Sequence, residues 1–310
     1  MNEVTDLKLV SYSGPRGIRT AAVKADRYVD AADVTGVAAH ASMPGLLADW
    51  AAAERPLQAA FAAGQAMVGL PKLVAPLPLP GAIYCIGANY ADHIAEMQGG
   101  GTNGASVAAE RKQQKEDGLK PWFFIKSSHS VCGPETKVAL PATSKKVDWE
   151  AELAVVIGRK SRDLTIENAL TAVWGYTIAN DLSARDLSRR PPLPQGSPFF
   201  FDWTSHKSFD DSCPMGPWIV SASQIVDAND LDIGLSINGQ PMQKSNTSQM
   251  IFTVAEQVAH LSQRITLWPG DIILTGTPAG VGAGRNLSLK PSDEVSVYIE
   301  GIGELRHSIA

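Results

Sequence analysis

Cysteine is scarce in this chain of 310 residues, and its three cysteines, Cys85, Cys132 and Cys213, are far apart and form no CxxC pair. An odd number of widely spaced cysteines argues against a disulfide framework and against a zinc finger, and it fits a reducing compartment. The first ten residues contain no apolar stretch of the kind that an export signal requires. These absences predict a soluble, cytoplasmic protein.

Long apolar runs and an excess of positive charge are also missing. No uninterrupted apolar segment approaches the roughly 20 residues that a membrane-spanning helix needs. Charged residues make up 19% of the chain and the formal net charge is −5, so we expect neither nucleic acid nor a membrane as a partner. The apolar fraction of 44% is large enough for an extensive core.

The N-terminal quarter combines β-like and helical patterns. Residues 7–34 are predicted to form short strands separated by turns, and residues 43–68 are rich in alanine and leucine at helical spacing, with Pro56 expected to split the helix. Four prolines between positions 71 and 80 predict a stiff, extended linker. We therefore predict a small N-terminal α+β domain over residues 1–75.

The remainder, residues 80–310, is predicted to be a larger, catalytic domain made mostly of short strands. Its expected helices include Tyr90–Met97 and Phe252–Ile265, so the fold class is β-rich α+β. The segment from Gln98 to Gly118 is rich in glycine and then in charge, with almost nothing to bury. We expect a mobile surface segment there, with a helix in its second half, that closes over a ligand as a lid.

A pair of carboxylates opens one of the most apolar strands. In "DWEAELAVVIG", Glu150 and Glu152 are two positions apart, so a strand would present both on one face. Such a pair repels itself unless a cation lies between the two groups. Asp181 ends another predicted strand and would add a third oxygen donor, a set that suits Mg²⁺. The alternative is an ordinary solvated strand face without a metal.

Six separated segments resemble the signature segments of the fumarylacetoacetate hydrolase family, and they occur in that family's order over roughly residues 80–310. They are "GANYADHIAEM", "DWEAELAVVIG", "NDLSARD", "HKSFD", "SQMIF" and "PGDIILTGTPAGVG". The resemblance implies a fumarylacetoacetate hydrolase-like catalytic β-fold, a Mg²⁺ or Mn²⁺ site formed by Glu150, Glu152 and Asp181, and a homodimer.

The resemblance also implies roles for further side chains. His93 and Glu96 correspond to a general-base dyad, in which a carboxylate one helical turn away orients the imidazole. Lys207 corresponds to a catalytic lysine that stabilises an oxyanion. An ordinary surface helix is the alternative for the dyad, and a surface lysine is the alternative for Lys207.

Lys126, Arg185 and Thr277 correspond to substrate-binding residues of the family. For Arg185 the natural task is bidentate pairing to a substrate carboxylate, and a structural ion pair with Asp186 or another acid is the alternative. Ser188 departs from the family, which often has glutamine at that position. The departure puts the distal part of the substrate in question.

These residues predict divalent-metal-dependent hydrolysis of a carbon–carbon bond in a 2,4-dioxo acid of the acylpyruvate type, releasing pyruvate or a related 2-oxo acid. An oxaloacetate-type decarboxylase or an isomerase of a 2-hydroxy-diene-dioate would use the same metal-enolate chemistry. A non-catalytic module that binds a metal or ligand is an alternative of another class. A nucleotide-binding protein built on "GTPAGVGAG" is disfavoured, because the chain has no GxxxxGK[ST] motif.

Overall fold

The computed structural model describes residues 6–69, 71–99 and 101–310. Residues 1–5, part of the segment that is expected to lack an export signal, lie outside this range, as do Leu70 and Gly100, the latter within the predicted lid. Strands dominate the described residues: β1 Lys8–Gly14, β2 Gly17–Lys24, β3 Arg27–Asp30, β4 Met67–Val68, β5 Leu73–Val74, β6 Ile83–Ile86, β7 Phe123–Lys126, β8 Val131–Cys132, β9 Lys137–Val138, β10 Val147–Asp148, β11 Ala151–Ile157, β12 Val173–Asn180, β13 Ser183–Ala184, β14 Cys213–Ser221, β15 Asp232–Ile237, β16 Gln240–Asn246, β17 Ile272–Leu274, β18 Glu294–Ile299 and β19 Gly303–Ile309.

The α-helices of the same residues are short, apart from two: α1 Ala31–Thr35, α2 Met43–Ala48, α3 Trp50–Ala62, α4 Ala91–Met97, α5 Gly101–Glu116, α6 Trp203–Lys207 and α7 Val254–Ser262. The predicted fold class, a β-rich α+β protein, is confirmed. None of these helices combines the length and the hydropathy that crossing a bilayer requires.

One large sheet forms the centre of the described structure. Its strands follow the order β4-β3-β2-β1-β14-β12-β11-β17-β6-β7, with β5 beside β1 and β8 beside β14. A second sheet has the order β16-β15-β18-β19-β9, and β10 pairs with β13. Because β1 pairs with β14, the N-terminal strands continue the central sheet. The division into residues 1–75 and 80–310 stays a prediction.

Strand β11 is buried on both faces, and this explains its apolar sequence. Leu153, Val155 and Ile157 pack in the apolar cluster that also contains the second sheet. Ala154 and Val156 alternate with them and pack in the cluster that contains the N-terminal helices. Two apolar layers thus fix the register of the strand that carries Glu152.

Three expectations about local structure were wrong. Pro56 does not split the helix but lies inside α3, and the break comes at Asp49, between α2 and α3. Burial of Leu57 and its neighbours outweighs the single backbone hydrogen bond that proline removes. The third N-terminal strand stops at Asp30, whose side chain caps α1 by accepting from the Asp33 amide. Helix α5 begins at Gly101 instead of in the second half of its segment.

Candidate active site

Pairing of β11 with β12 brings the three predicted metal ligands together. Glu150 immediately precedes β11, Glu152 lies in it, and Asp181 immediately follows β12. The antiparallel register places Ala151 opposite Asn180, and the Asp181 amide donates to the Glu150 carbonyl at 2.9 Å. Each of the three carboxylates offers an oxygen within 4.8 Å of the other two. Their exposed fractions are only 6%, 2% and 1% in chain order.

Two of these carboxylates are neutralised by cations. Lys207 Nζ donates to Glu150 Oε2 and to Asp181 Oδ2, at 2.6 Å in each case. Lys126 Nζ lies 2.8 Å from Asp181 Oδ1, and Arg185 Nη2 lies 2.5 Å from Glu150 Oε1. Burial would raise the pKa of Glu150, but the charges of Lys207 and Arg185 outweigh it and hold that pKa below its usual value. Glu150 therefore stays ionised.

Glu152 is the carboxylate without such compensation. Its Oε2 accepts from the Gly276 amide at 2.7 Å, and within the described ranges no lysine or arginine forms an ion pair with it. Burial, followed by the charges of Asp181 and Glu150, raises the pKa of Glu152 well above its usual value. Glu152 is thus repelled by the charges of Asp181 and Glu150. Three buried carboxylates that repel one another in this way fit a divalent cation such as Mg²⁺ or Mn²⁺, which prefers oxygen ligands.

His93 lies on α4 and lines the same cavity, which has a volume of about 220 Å³. Burial lowers the pKa of His93, and the charge of Glu150 opposes this only in part, so the imidazole is neutral near pH 7. Its Nδ1 is buried and has no hydrogen-bond partner among the residues that the structure describes. The ring is therefore available as a base.

Glu96 hydrogen-bonds to a backbone amide of the loop after β17. Its Oε2 accepts from the Gly280 amide at 2.8 Å, and Arg285 Nε lies 3.9 Å from Oε1. No hydrogen bond joins Glu96 to His93 in the described part of the chain. Glu96 thus ties α4 to the loop after β17, and its role in a dyad stays a prediction.

The predicted substrate-binding residues divide into two groups. Arg185 and Thr277 line the cavity, whereas Lys126 is fully buried outside the lining and contacts Asp181 and the Leu182 and Lys207 carbonyl oxygens. Arg185 is itself engaged, because Nε donates to Asp148 Oδ2 at 2.9 Å in addition to its contact with Glu150. The contacts of Arg185 are therefore those of the alternative role, a structural ion pair with acids other than Asp186.

Thr277 and the family-departing Ser188 are both held by their neighbours. Thr277 Oγ1 accepts from Gln243 Nε2 at 2.8 Å, and Gln243 Oε1 accepts from the Ala151 amide at 2.9 Å. Ser188 Oγ donates to the Arg185 carbonyl at 2.7 Å and lies outside the cavity lining. Thr277 is therefore linked to the start of β11.

Sequence reasoning missed one wall of this cavity. His206 and the aromatic side chains Trp122, Phe124 and Trp203 line it. They come from β7, the residue before it, and α6, elements about 80 residues apart. His206 opens the segment "HKSFD", yet no local pattern indicated that its ring would be buried in the site.

Comparisons with known proteins identify relatives of this chain. Residues 82–310 match the family model for the fumarylacetoacetate hydrolase C-terminal region. The chain is 39% identical over 238 residues to the mitochondrial oxaloacetate tautomerase Fahd2a of Rattus norvegicus, covering 76% of this chain and 68% of that protein. It is 37% identical over 245 residues to the 2,4-didehydro-3-deoxy-L-rhamnonate hydrolase of a Sphingomonas strain, covering 78% of each.

Solved structures with the same fold cover almost the whole chain. A putative HpcE protein from Mycobacterium smegmatis superposes with a TM-score of 0.77 at 34% identity, over 98% of this chain and 99% of that one. The maleylpyruvate hydrolase of Sphingobium sp. SYK-6, solved with manganese(II) and pyruvate, superposes with a TM-score of 0.74 at 28% identity, over 98% of each chain. On its sequence, its fold and its buried carboxylates, the chain belongs to the fumarylacetoacetate hydrolase family.

Proposed function

We propose that this protein hydrolyses a carbon–carbon bond in a 2,4-dioxo acid of the acylpyruvate type, releasing pyruvate or a related 2-oxo acid. The supporting observation is that three buried carboxylates and the neutral base His93 line one small cavity. Glu150, Glu152 and Asp181 would hold Mg²⁺ or Mn²⁺. When bound, the ion supplies Lewis-acid stabilisation to the oxygens of a 2-oxo acid.

The protein's own groups supply the proton transfers. His93 takes a proton from a water molecule, whose oxygen bonds to the 4-carbonyl carbon of the substrate. The bond between C3 and C4 then breaks, and its electron pair stays on C3 as the enolate of pyruvate. Lys207 lies at the cavity wall, where its ammonium would stabilise the developing oxyanion. Later protonation of C3 gives pyruvate, and the acyl group leaves as a carboxylic acid.

A tautomerase that interconverts the keto and enol forms of a small 2-oxo acid is the second candidate. One observation favours it: Glu96 accepts from the Gly280 amide, and among the described residues it forms no hydrogen bond with His93. A single neutral base suffices to move a proton between C3 and the 2-oxygen, whereas water activation gains more from an oriented imidazole. The rat relative carries the name oxaloacetate tautomerase.

The test combines metal removal with product analysis. Activity should disappear in EDTA and return with Mg²⁺ or Mn²⁺, and mass spectrometry of reactions with acylpyruvates should detect pyruvate and the free acid. Conversion of oxaloacetate between its enol and keto forms, without cleavage of any acylpyruvate, would establish the second candidate instead. Full activity of metal-stripped protein would contradict both.

Two variants separate the base from the metal site. His93→Ala should lose about 10²–10⁴-fold in hydrolysis while calorimetric Mg²⁺ affinity stays nearly constant. Glu152→Gln should lose metal binding and activity together, with an intact circular dichroism spectrum. The exposed histidine variant His129→Ala is the matched control and should behave like the wild type.

Light scattering would test the homodimer that we also propose.

A further inference from the structure

The cavity that contains the carboxylates has an aromatic wall. Trp203 stacks on Phe124, with ring centroids 5.0 Å apart and an interplanar angle of 21°. Trp122 packs against Trp203 at a centroid distance of 5.1 Å. Such a wall offers apolar ring surface, against which a conjugated or aromatic group gains area burial and ring contacts.

A histidine without a partner is set in this wall. His206 follows Trp203 on α6, its ring centroid is 5.6 Å from that of Trp203, and it is 5% exposed. Neither ring nitrogen has a hydrogen-bond partner anywhere in residues 6–69, 71–99 and 101–310. Buried polar groups are nearly always satisfied, and leaving one unpaired costs free energy. Since the ring lines the cavity, a ligand can supply the missing partner.

The charges around His206 do not suit a second carboxylate. Burial, and then the charges of Lys207 and Arg185, lower the pKa of His206 to about 3, so the ring is neutral near pH 7. Lys207 and Arg185 both line the cavity, and each is already paired with two acids. An anionic group at the distal end of a substrate would therefore meet aromatic rings and no unpaired cation in the described lining.

We infer that His206, together with Trp122, Phe124 and Trp203, forms the subsite for the acyl end of the substrate, and that this subsite selects an uncharged, planar tail bearing one hydrogen-bonding oxygen. The inference rests on the proposed function, because it assigns the other end of the substrate to the carboxylate site. The substrate class is an aroyl- or enoylpyruvate with a hydroxyl or carbonyl group, and a dicarboxylate is disfavoured.

Arg111 provides the competing way to hold a tail. It lines an adjoining cavity of about 360 Å³ that also contacts His93 and Ala88. A diacid that extended in that direction would pair its distal carboxylate with Arg111. The two directions differ in the charge of the tail that they select, so kinetics can separate them.

Three 2,4-dioxo-4-arylbutanoates of matched size make the comparison: 4-phenyl, 4-(4-hydroxyphenyl) and 4-(4-carboxyphenyl). The wild type should prefer the hydroxyphenyl compound over the phenyl compound by about tenfold in kcat/KM, which corresponds to the net free energy of one hydrogen bond. It should use the carboxyphenyl compound least. His206→Leu should erase the hydroxyl preference, so that the hydroxyphenyl and phenyl compounds are used with similar kcat/KM. His206→Asn, which keeps a donor and an acceptor, should restore part of it.

The aromatic wall has its own variant and control. Trp203→Leu should raise KM for all three aryl compounds by about tenfold, and by a smaller factor for acetylpyruvate, whose methyl group offers less area to stack. Phe199→Leu, an exposed aromatic residue outside the cavity lining, should match the wild type for every substrate. Because His206 is unpartnered, His206→Leu should not lower the melting temperature, which distinguishes a subsite residue from a structural one.

The outcomes distinguish this inference from the proposed function. If the carboxyphenyl compound is preferred and Arg111→Gln removes that preference, the subsite is overturned. If none of the three acids is cleaved, their affinities for the metal-loaded protein are measured by calorimetry and compared instead of kcat/KM. A ranking with the hydroxyphenyl compound first, abolished by His206→Leu, would support the subsite and contradict the hydrolase, whereas equal affinities together with normal oxalate binding would overturn the subsite alone.

Discussion

Asp148 shows how one carboxylate can position several parts of the site. Its Oδ1 accepts from the amides of Trp149 at 2.8 Å and Gly282 at 2.6 Å. Its Oδ2 accepts from the amide of Ala283 at 3.0 Å and from Arg185 Nε at 2.9 Å. The side chain therefore joins the start of β11, the glycine-rich loop after β17 and the arginine of the cavity.

We predict that Asp148→Asn destabilises the protein by about 3 kcal/mol, because the uncharged amide leaves the partly buried Arg185 and several backbone amides poorly paired. Urea denaturation at pH 7 measures the change. Asp186→Asn is the matched control. Asp186 follows Arg185 in the sequence, but it is exposed and contacts Ser144 Oγ and the Lys145 amide. Equal losses in the two variants would show that Asp148 has no special positioning role.

At this scale, the sequence predicts only what spacing or strand pairing determines. Glu150 and Glu152 share a strand face, and strand pairing then adds Asp181. By contrast, Glu96 finds Gly280 across 184 positions and Asp148 finds Gly282 across 134 positions. Those contacts depend on how the loop after β17 folds back on the site, and no local pattern encodes that path.

Helix α5 is fastened to the body of the protein by a polar contact near its C-terminal end. Ala108 is its buried apolar side chain in the described cluster with Ala91 of α4, and most of its described surface is polar. Lys115 Nζ donates to the Ile251 carbonyl at 2.6 Å and to Glu256 Oε2 at 2.8 Å. Glu256 also completes the capping box of α7. This latch connects the predicted lid to the body of the protein.

We predict that Lys115→Met loosens α5. Loss of a partly buried ion pair of about 1 kcal/mol should speed hydrogen exchange of the helix amides roughly fivefold. Lys112→Met, an exposed lysine on the same helix, should leave exchange unchanged. Oxalate with Mg²⁺ should slow exchange over residues 93–118 in the wild type if the segment closes on a ligand, and equal protection in both states would reject the lid.

Helices and strands can be predicted from the sequence where the pattern of buried apolar residues and the local start and stop signals agree. The apolar run of β11 and the apolar spacing in α7 predicted a strand and a helix, and both form. In the structure, a capping box of Thr253 and Glu256 also marks the start of α7. Pro56 failed as a break signal because tertiary packing of α3 decided the outcome. Helix α5 is polar nearly throughout, so hydrophobic periodicity could not predict where it begins.

The two large sheets are connected through a histidine at the far end of the chain. His307 on β19 belongs to the second sheet, and its Nε2 lies 2.9 Å from Asn180 Nδ2 at the end of β12. Asn180 Oδ1 in turn accepts from the Glu150 amide at 2.9 Å. Since the Asn180 amide nitrogen can only donate, His307 Nε2 must accept, and the ring must be neutral. The fold of the whole molecule thereby supports the position of a metal ligand.

This connection predicts a pH-dependent stability. Burial lowers the pKa of His307 to about 4, below the unfolded value near 6.5. Above pH 6.5 the ring is neutral in both states, and its full contribution is present. As the pH falls towards 4, the unfolded chain takes up a proton that the folded protein excludes, so stability is lost. Protonation would also remove the acceptor for Asn180.

We predict that between pH 7 and pH 5 the unfolding free energy of the wild type falls by about 2 kcal/mol more than that of His307→Gln, whose side chain keeps an acceptor but does not titrate. Urea denaturation at several pH values measures both curves, and the other buried histidines cancel because both proteins contain them. His129→Gln, which changes an exposed histidine, should follow the wild type. Parallel curves for the wild type and His307→Gln would mean that His307 does not hold the two sheets together as a neutral acceptor.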